Sequence, residues 1–172
     1  MFLRPVFSLS LPNLLRSPLL TFALSAIVFA CTCAAPAAAN ASHGWFYAVP
    51  KRTIGQRAAT IAVREVGVPY RWGGASPASG FDCSGLVYWT YARLGIALPH
   101  SSYALYDHGR RVARSGMKAG DLLFFSGLGH VGIYIGRGRM VHAPHSGTRV
   151  QIVRLRSSSY GARIVGVRRM VR

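Results

Sequence analysis

Acidic residues are scarce in this chain of 172 residues. Four Asp and Glu stand against 21 Lys and Arg, which gives a formal net charge of +17. Such an excess of positive charge predicts attraction to polyanions. No basic run is interleaved with aromatic residues and no nucleic-acid motif is present, so we expect no specific nucleic-acid partner. The charge instead indicates anionic surroundings such as envelope polymers or lipid headgroups.

Cysteine is also rare, with three residues in the whole chain: Cys31, Cys33 and Cys83. The first two follow an apolar segment that we predict to be removed. Cys83 would then be the only thiol of the mature protein, and an intrachain disulfide would be excluded in an exported, oxidising compartment. A lone thiol in such a protein is either buried and inert or chemically active.

The N-terminal residues 1–39 have the pattern of a signal peptide. The segment from Ser17 to Ala30 is almost wholly apolar but is shorter than the roughly 20 residues that cross a bilayer, and Ala37–Ala39 offers a cleavage site. This favours a cleaved signal over a permanent anchor, with lipidation at Cys31 as a further alternative. We expect an exported, periplasmic or extracellular envelope protein, in contact with the membrane only through the signal or a lipid.

The rest of the chain predicts a flexible arm over residues 40–52 and a single domain over 53–172. Helical periodicity comes first and strand-like segments joined by short hairpins follow, which predicts an α+β fold with N-terminal helices packed on a C-terminal antiparallel sheet of about five strands. Residues 70–80 are expected to form a loop. The predicted helices span residues 53–66, 83–94 and 102–108, and the predicted strands span 121–125, 131–135, 139–143, 149–155 and 162–171.

Three residues form a candidate catalytic set. Cys83 lies between Asp82, a suitable N-cap residue, and Ser84, so its sulfur is expected at the positive end of a helix, where the thiol pKa is lowered. Such a thiolate is a nucleophile, and the first N–H groups of the helix can bind an oxyanion. His130 could then act as general base, and His142 could orient it. The alternatives are an inert core thiol and ordinary structural histidines.

The same Cys and His side chains could instead bind zinc. No closely spaced pair of ligands accompanies them, so we predict neither a metal nor another cofactor. The remaining histidines are expected on the surface or in loops rather than in catalysis: His43, His100, His108 and His145.

Five short motifs, taken in order, resemble those of the NlpC-type cell-wall cysteine endopeptidases. They are Pro69–Gly74, Asp82–Leu86, Gly120–Leu122, His130–Tyr134 and Val141–Ala143. The resemblance covers residues 54–155. It implies a reduced papain-like fold and hydrolysis of peptidoglycan stem peptides, often between D-γ-glutamyl and the diamino acid, through a thioester on the cysteine of a Cys-His-His triad.

The resemblance also implies roles around the triad. The tyrosine matching Tyr70 lines the active site and can donate to the oxyanion, and the residues matching Asp82 and Ser84 shape the substrate subsites, a group to which we add Ser101. The chain departs from the family at His100, where the usual pattern has arginine, and at 105–106, where a glutamine is expected. Other hypotheses are a non-catalytic wall-binding protein and an acyl transferase on the same fold. We expect a monomer.

Overall fold

The computed structural model describes residues 50–170, all within one compact unit. The predicted signal peptide over 1–39, its Cys31 and most of the predicted arm lie outside the described residues. Within the part of the chain that is described, no helix has both the length and the apolar composition needed to cross a bilayer.

The described chain is α+β, as the sequence predicts, with helices preceding most of the strands. Two short 3-10 helices at Arg114–Gly116 and Gly161–Arg163 interrupt the C-terminal half. The helices and strands in chain order are α1 (Ile54–Arg64), β1 (Ala75–Ser76), β2 (Gly80–Phe81), α2 (Cys83–Ala92), α3 (Ser102–Tyr106), β3 (Arg110–Arg111), β4 (Leu122–Phe125), β5 (Val131–Gly136), β6 (Arg139–His142), β7 (Gln151–Arg154) and β8 (Ile164–Arg169).

The main sheet is antiparallel, with strand order β3-β8-β4-β5-β6-β7. It has six strands where about five are predicted, because the two-residue edge strand β3 is too short to show any alternation. The predicted loop over 70–80 contains most of a small hairpin of β1 and β2, which the sequence did not predict because each strand has only two residues.

Helix α1 begins where the sequence predicts. The Thr53 side chain accepts a hydrogen bond from the Gln56 N–H at 3.2 Å, and the Gln56 side chain accepts one from the Thr53 N–H at 2.8 Å, which forms a capping box. Ala58 and Ala62 are fully buried toward the sheet. Gly67 follows the helix with φ at +95°, a conformation that glycine adopts without strain.

The main core lies between the helices and one face of the sheet. Leu86, Val87 and Tyr91 of α2 are buried there against β5, so this helix is held by apolar packing along its length. A second, smaller cluster covers the opposite face of the sheet and includes Phe125 and Met140. Because the sheet is packed on both faces, the ends of β5 and β6 are fixed relative to the start of α2.

Candidate active site

The start of α2 places Cys83 at the first position of the helix, with Asp82 as the N-cap residue. The helix lies so close to the preceding loop that a side-chain carbon at Gly85 would collide with the carbonyl oxygen of Gly74. The first N–H groups of a helix have no partner within it. Those of Cys83 and Ser84 face the sulfur of Cys83 and are available to a bound anion.

The Asp82 carboxylate is the centre of a hydrogen-bond network that fixes this helix start. Its Oδ1 accepts from the Gly85 N–H at 2.6 Å and the Ser84 hydroxyl at 3.0 Å, and lies 2.9 Å from His100 Nε2. Its Oδ2 accepts from the Gly73 N–H at 2.9 Å. The carboxylate therefore joins the glycine-rich loop, the start of α2 and the segment before α3.

The two predicted histidines meet at one end of the main sheet. His130 directly precedes β5, and His142 is the last residue of β6. The pairing of Ile133 with Val141 places Gly132 opposite His142, and a side-chain carbon at Gly132 would come within 2.8 Å of the sulfur of Met140. His130 Nε2 lies 2.9 Å from His142 Nδ1. Since this contact occupies Nε2, the nitrogen of His130 left for a proton transfer is Nδ1.

Cys83 and His130 line the same cavity of about 490 Å³. The thiol donates a long hydrogen bond of 3.9 Å to the carbonyl of Gly129, the residue before His130, and makes none to the imidazole itself. A rotation of the thiol would turn its proton toward the ring, and such contacts in unliganded sites often shorten only when substrate binds. The complete lining is Tyr70, Trp72, Gly73, Asp82, Cys83, Ser84, His100, Ser101, Ser102, Tyr103, Gly129, His130 and Pro144.

Comparison with known proteins identifies the family. The NlpC/P60 family profile matches residues 67–169 of this chain. The chain belongs to the NlpC/P60 family. It is 50% identical over 119 residues to the probable endopeptidase Rv2190c of Mycobacterium tuberculosis, a match that covers 66% of this chain and 31% of that protein.

Two further similarities support the same assignment. The chain is 39% identical over 145 residues to the murein DD-endopeptidase MepH of Escherichia coli, covering 77% of this chain and 53% of MepH. The crystal structure of the NlpC/P60 domain of the peptidoglycan hydrolase SagA matches with a TM-score of 0.60 at 32% identity, over 67% of this chain and 98% of that one. The fold is thus the reduced papain-like α+β fold. The chain spans about a third of the length of Rv2190c and about half of that of MepH.

The thiol pKa in this NlpC/P60 domain differs from the sequence prediction. Burial raises the pKa of Cys83, and the nearby Asp82 carboxylate adds to the rise. The N–H groups of Val131, Ser84 and Cys83 oppose it without reversing it. The predicted lowering of the thiol pKa is therefore wrong, because removal of the sulfur from water outweighs the helix start.

The two histidines are held neutral. Burial lowers the pKa of His130 to about 4 and that of His142 to about 3. Positive charge acts in the same direction: Arg163 on His130, and His130 on His142 whenever His130 is protonated. A neutral His130 can accept a proton at neutral pH. At neutral pH the site therefore holds a protonated thiol near two uncharged imidazoles.

The remaining predicted site residues lie around the same cavity. Tyr70 is half-buried there, and its pKa is raised by burial and by Cys83 and Asp82. The side chain of Ser84 is bonded to Asp82, and that of Ser101 caps α3 by accepting from the Ala104 N–H at 3.4 Å. These serine contacts are structural, and they place both residues on the cavity wall.

His100 is an exposed residue of the loop between α2 and α3, in agreement with the prediction of a surface or loop histidine, and it also contacts the helix start. Its Nε2 lies 2.9 Å from Asp82, and its ring is stacked on Tyr88 with 5.8 Å between the centroids. The departure from the family pattern at His100 is the sequence signal that could have indicated this contact.

Tyr160 also lies at the site, and the sequence did not predict it. Its ring lies 4.8 Å from that of His142 and 5.8 Å from that of His130. It enters from the loop after β7, and no local pattern marks it.

Metal binding has no candidate within residues 50–170, where no group of three or more His, Cys, Asp or Glu side chains is arranged to hold an ion. His142 Nε2 is buried and has no hydrogen-bond partner among the described residues. The edge-to-face packing of the Tyr160 ring on His142 encloses this end of the histidine pair.

Proposed function

We propose that this chain is a cysteine-type endopeptidase that hydrolyses peptidoglycan stem peptides. The observation that carries the proposal is one cavity that holds Cys83 and His130, with His142 bonded to the far side of His130. Membership of the NlpC/P60 family and two relatives named as endopeptidases support it. A cell-wall substrate requires export, which agrees with the signal peptide predicted for residues 1–39.

In the first half of the reaction, the sulfur of Cys83 attacks the carbonyl carbon of the scissile amide while its proton moves to His130 Nδ1. The resulting oxyanion can accept hydrogen bonds from the N–H groups at the start of α2, with the Tyr70 phenol as a further donor. His130 then protonates the departing amine. The carbon–nitrogen bond breaks and leaves a thioester on the sulfur.

In the second half, water attacks the thioester carbonyl while His130 Nδ1 accepts a proton from it. The carbon–sulfur bond breaks, the proton returns to the sulfur, and a free carboxylic acid leaves. For His142 to keep His130 in the tautomer that this step needs, we assign the proton of their 2.9 Å contact to Nε2 of His130, with His142 Nδ1 as the acceptor. Nδ1 of His130 is then unprotonated. The neutral resting state of both imidazoles suits this role.

For the bond that is cut, we propose the D-γ-glutamyl–diamino acid linkage, which the family resemblance favours. The relative MepH is named as a DD-endopeptidase, so the cross-link between two stem peptides is the competing substrate. A defined test uses an uncross-linked disaccharide tetrapeptide and a cross-linked dimer, with mass spectrometry of the products.

The proposal expects loss of the diamino acid portion from the uncross-linked tetrapeptide, and no product from Cys83→Ala under the same conditions. Conversion of the dimer to intact monomers would assign the cross-link instead. If the full-length protein cleaves neither compound, nor whole sacculi, peptidase action is refuted. An acyl group transferred to an added amine rather than to water would indicate a transferase.

A second candidate, a non-catalytic wall-binding protein, is favoured by the raised thiol pKa and by the absence of a Cys83–His130 hydrogen bond. The rate of alkylation of Cys83 near neutral pH, followed on its own peptide, separates the two. The enzyme is expected to lose about tenfold or more of this rate in His130→Gln, because general-base assistance is removed. Equal slow rates, with intact binding to sacculi, would favour the binding protein.

A further inference from the structure

Four arginines line a second cavity of about 490 Å³, away from the candidate active site. Arg137 lies in the turn between β5 and β6, Arg139 begins β6, Arg154 ends β7, and Arg156 follows two residues later. We name these four residues the arginine cluster. Gly138 and Ser157 complete the lining of the cavity, so no acidic side chain contributes to it.

The arrangement of the cluster is electrostatically unfavourable without a ligand. Arg139 and Arg154 are directly opposite each other on neighbouring antiparallel strands, where like charges destabilise the pairing. Within residues 50–170 the ion pairs are His100–Asp82 and Arg169–Asp121, so no carboxylate neutralises the cluster. The whole chain has only four acidic residues.

Arg139 gives an independent sign of a missing partner. Its Nε is buried, yet it has no hydrogen-bond partner among the described residues. A buried donor on a charged group is costly when it stays unpaired. The same residue also lines an adjoining cavity of about 550 Å³, to which Arg52 and Arg64 contribute. Positive charge therefore continues from the cluster along the side of α1.

We propose that the arginine cluster is a binding site for phosphate groups. Guanidinium groups form paired hydrogen bonds with phosphate or carboxylate oxygens. A terminal phosphate carries close to two negative charges and three acceptor oxygens, so it can satisfy several guanidinium groups, whereas a carboxylate brings a single charge. The phosphate can belong to a soluble polyanion or to a lipid headgroup.

This site is separate from the candidate active site. Arg139 and His142 stand at opposite ends of β6, about 10 Å apart along the strand at roughly 3.3 Å per residue. A bound phosphate would leave the cavity of Cys83 open. The proposal therefore stands whether or not the chain is a peptidase, and it gives the high positive charge a specific location.

The test is calorimetric titration of the full chain with tripolyphosphate at low salt. The variant is Arg154→Gln with Arg156→Gln. Both of these positions are exposed, and the half-buried Arg139 is left unchanged. The matched control is Arg110→Gln with Arg111→Gln, which removes the same charge from the exposed strand at the opposite edge of the sheet. Thermal unfolding of each protein checks that the fold is retained.

We expect the cluster variant to weaken tripolyphosphate binding by about tenfold or more, since it loses two charge-assisted contacts, and the control to change it by about twofold or less. Equal weakening in both double variants would mean that only net charge matters and would overturn the proposal. So would wild-type affinity in the cluster variant, or the absence of binding to the wild-type chain.

Sedimentation with vesicles that contain phosphatidic acid, a lipid with a terminal phosphate, distinguishes the two phosphate sources. If the cluster variant loses vesicle binding that tripolyphosphate also displaces in the wild type, the source is a lipid headgroup. If only tripolyphosphate binding depends on the cluster, the source is a soluble polyanion. Vesicle binding that both double variants retain arises elsewhere in the chain and does not count toward the site.

Discussion

Replacement of His142 by leucine is expected to make the fold less sensitive to acid. His142 is fully buried, and burial lowers its pKa from 6.5 to about 3. A histidine whose pKa is lower in the folded chain than in the unfolded chain binds its proton more weakly when folded. Its contribution to stability is therefore present above about pH 6.5 and is lost as the pH falls from there toward 3.

The size of this effect follows from the two pKa values. Each tenfold difference in proton affinity corresponds to about 1.4 kcal/mol. Near pH 4.5 an unfolded histidine is almost fully protonated, whereas His142 in the fold is still neutral. Between about pH 7.5 and 4.5, this residue should therefore lower the free energy of unfolding by about 2–3 kcal/mol. His130 contributes a similar loss in both proteins, because its own lowered pKa comes first from burial.

The assay is urea unfolding of the wild type and His142→Leu at the two pH values, and the readout is the difference between pH values within each protein. Leucine is also expected to lower stability at both pH values, since it leaves a buried nitrogen of His130 without its partner. Comparing differences removes that constant. Thr90→Val is the control, because it replaces another fully buried polar side chain without a titrating group.

We expect the pH-dependent loss to be smaller by about 2–3 kcal/mol in His142→Leu and unchanged in Thr90→Val. An equal loss in the wild type and in His142→Leu would refute the reasoning. It would mean that His142 becomes protonated in the folded protein and is not the neutral acceptor that the catalytic account requires.

Three further predictions concern the helix start, a buried ion pair and the pH dependence of turnover. Gly85→Ala should cost about 3 kcal/mol or more, or abolish folding, because its new carbon meets a main-chain carbonyl. Gly116→Ala, whose new carbon would meet only Val112 at an ordinary contact distance of 3.7 Å, should be nearly neutral in urea unfolding. Arg169→Gln should cost about 3–5 kcal/mol by the same measurement, since it removes both 2.7 Å bonds to the buried Asp121; a loss under about 1 kcal/mol would contradict this. Because the pKa of His130 is about 4, kcat/KM should stay high on acidification until the pH approaches that value; a fall centred near pH 6.5 would mean that the base is not held neutral.

Local features of the fold were predictable from the sequence. Thr53 and Asp82 are polar residues directly before apolar periodic segments, and each caps the predicted helix. The hairpins that precede His130 and end at His142 were visible from alternating residues and glycine turns. Such patterns depend only on neighbours along the chain, and they are sufficient to assign these residues to the correct helices and strands.

Features that depend on distant contacts were not predictable. His100 reaches Asp82 across 18 positions, and Tyr160 packs on His142 from a loop with no periodicity. The sign of the thiol pKa was also out of reach: the helix start is a local property, whereas the burial that outweighs it depends on how β5 and the surrounding loops enclose Cys83. The sequence pattern predicts where the helix begins but not how deeply Cys83 is buried.

Release of soluble peptides from purified sacculi by the wild type, Cys83→Ala and His130→Gln tests the central claim most directly. With a nucleophilic sulfur and an imidazole base, release should fall by about a thousandfold or more in Cys83→Ala and by about a hundredfold or more in His130→Gln, with both variants folded. Release by folded Cys83→Ala at the wild-type rate would contradict the account.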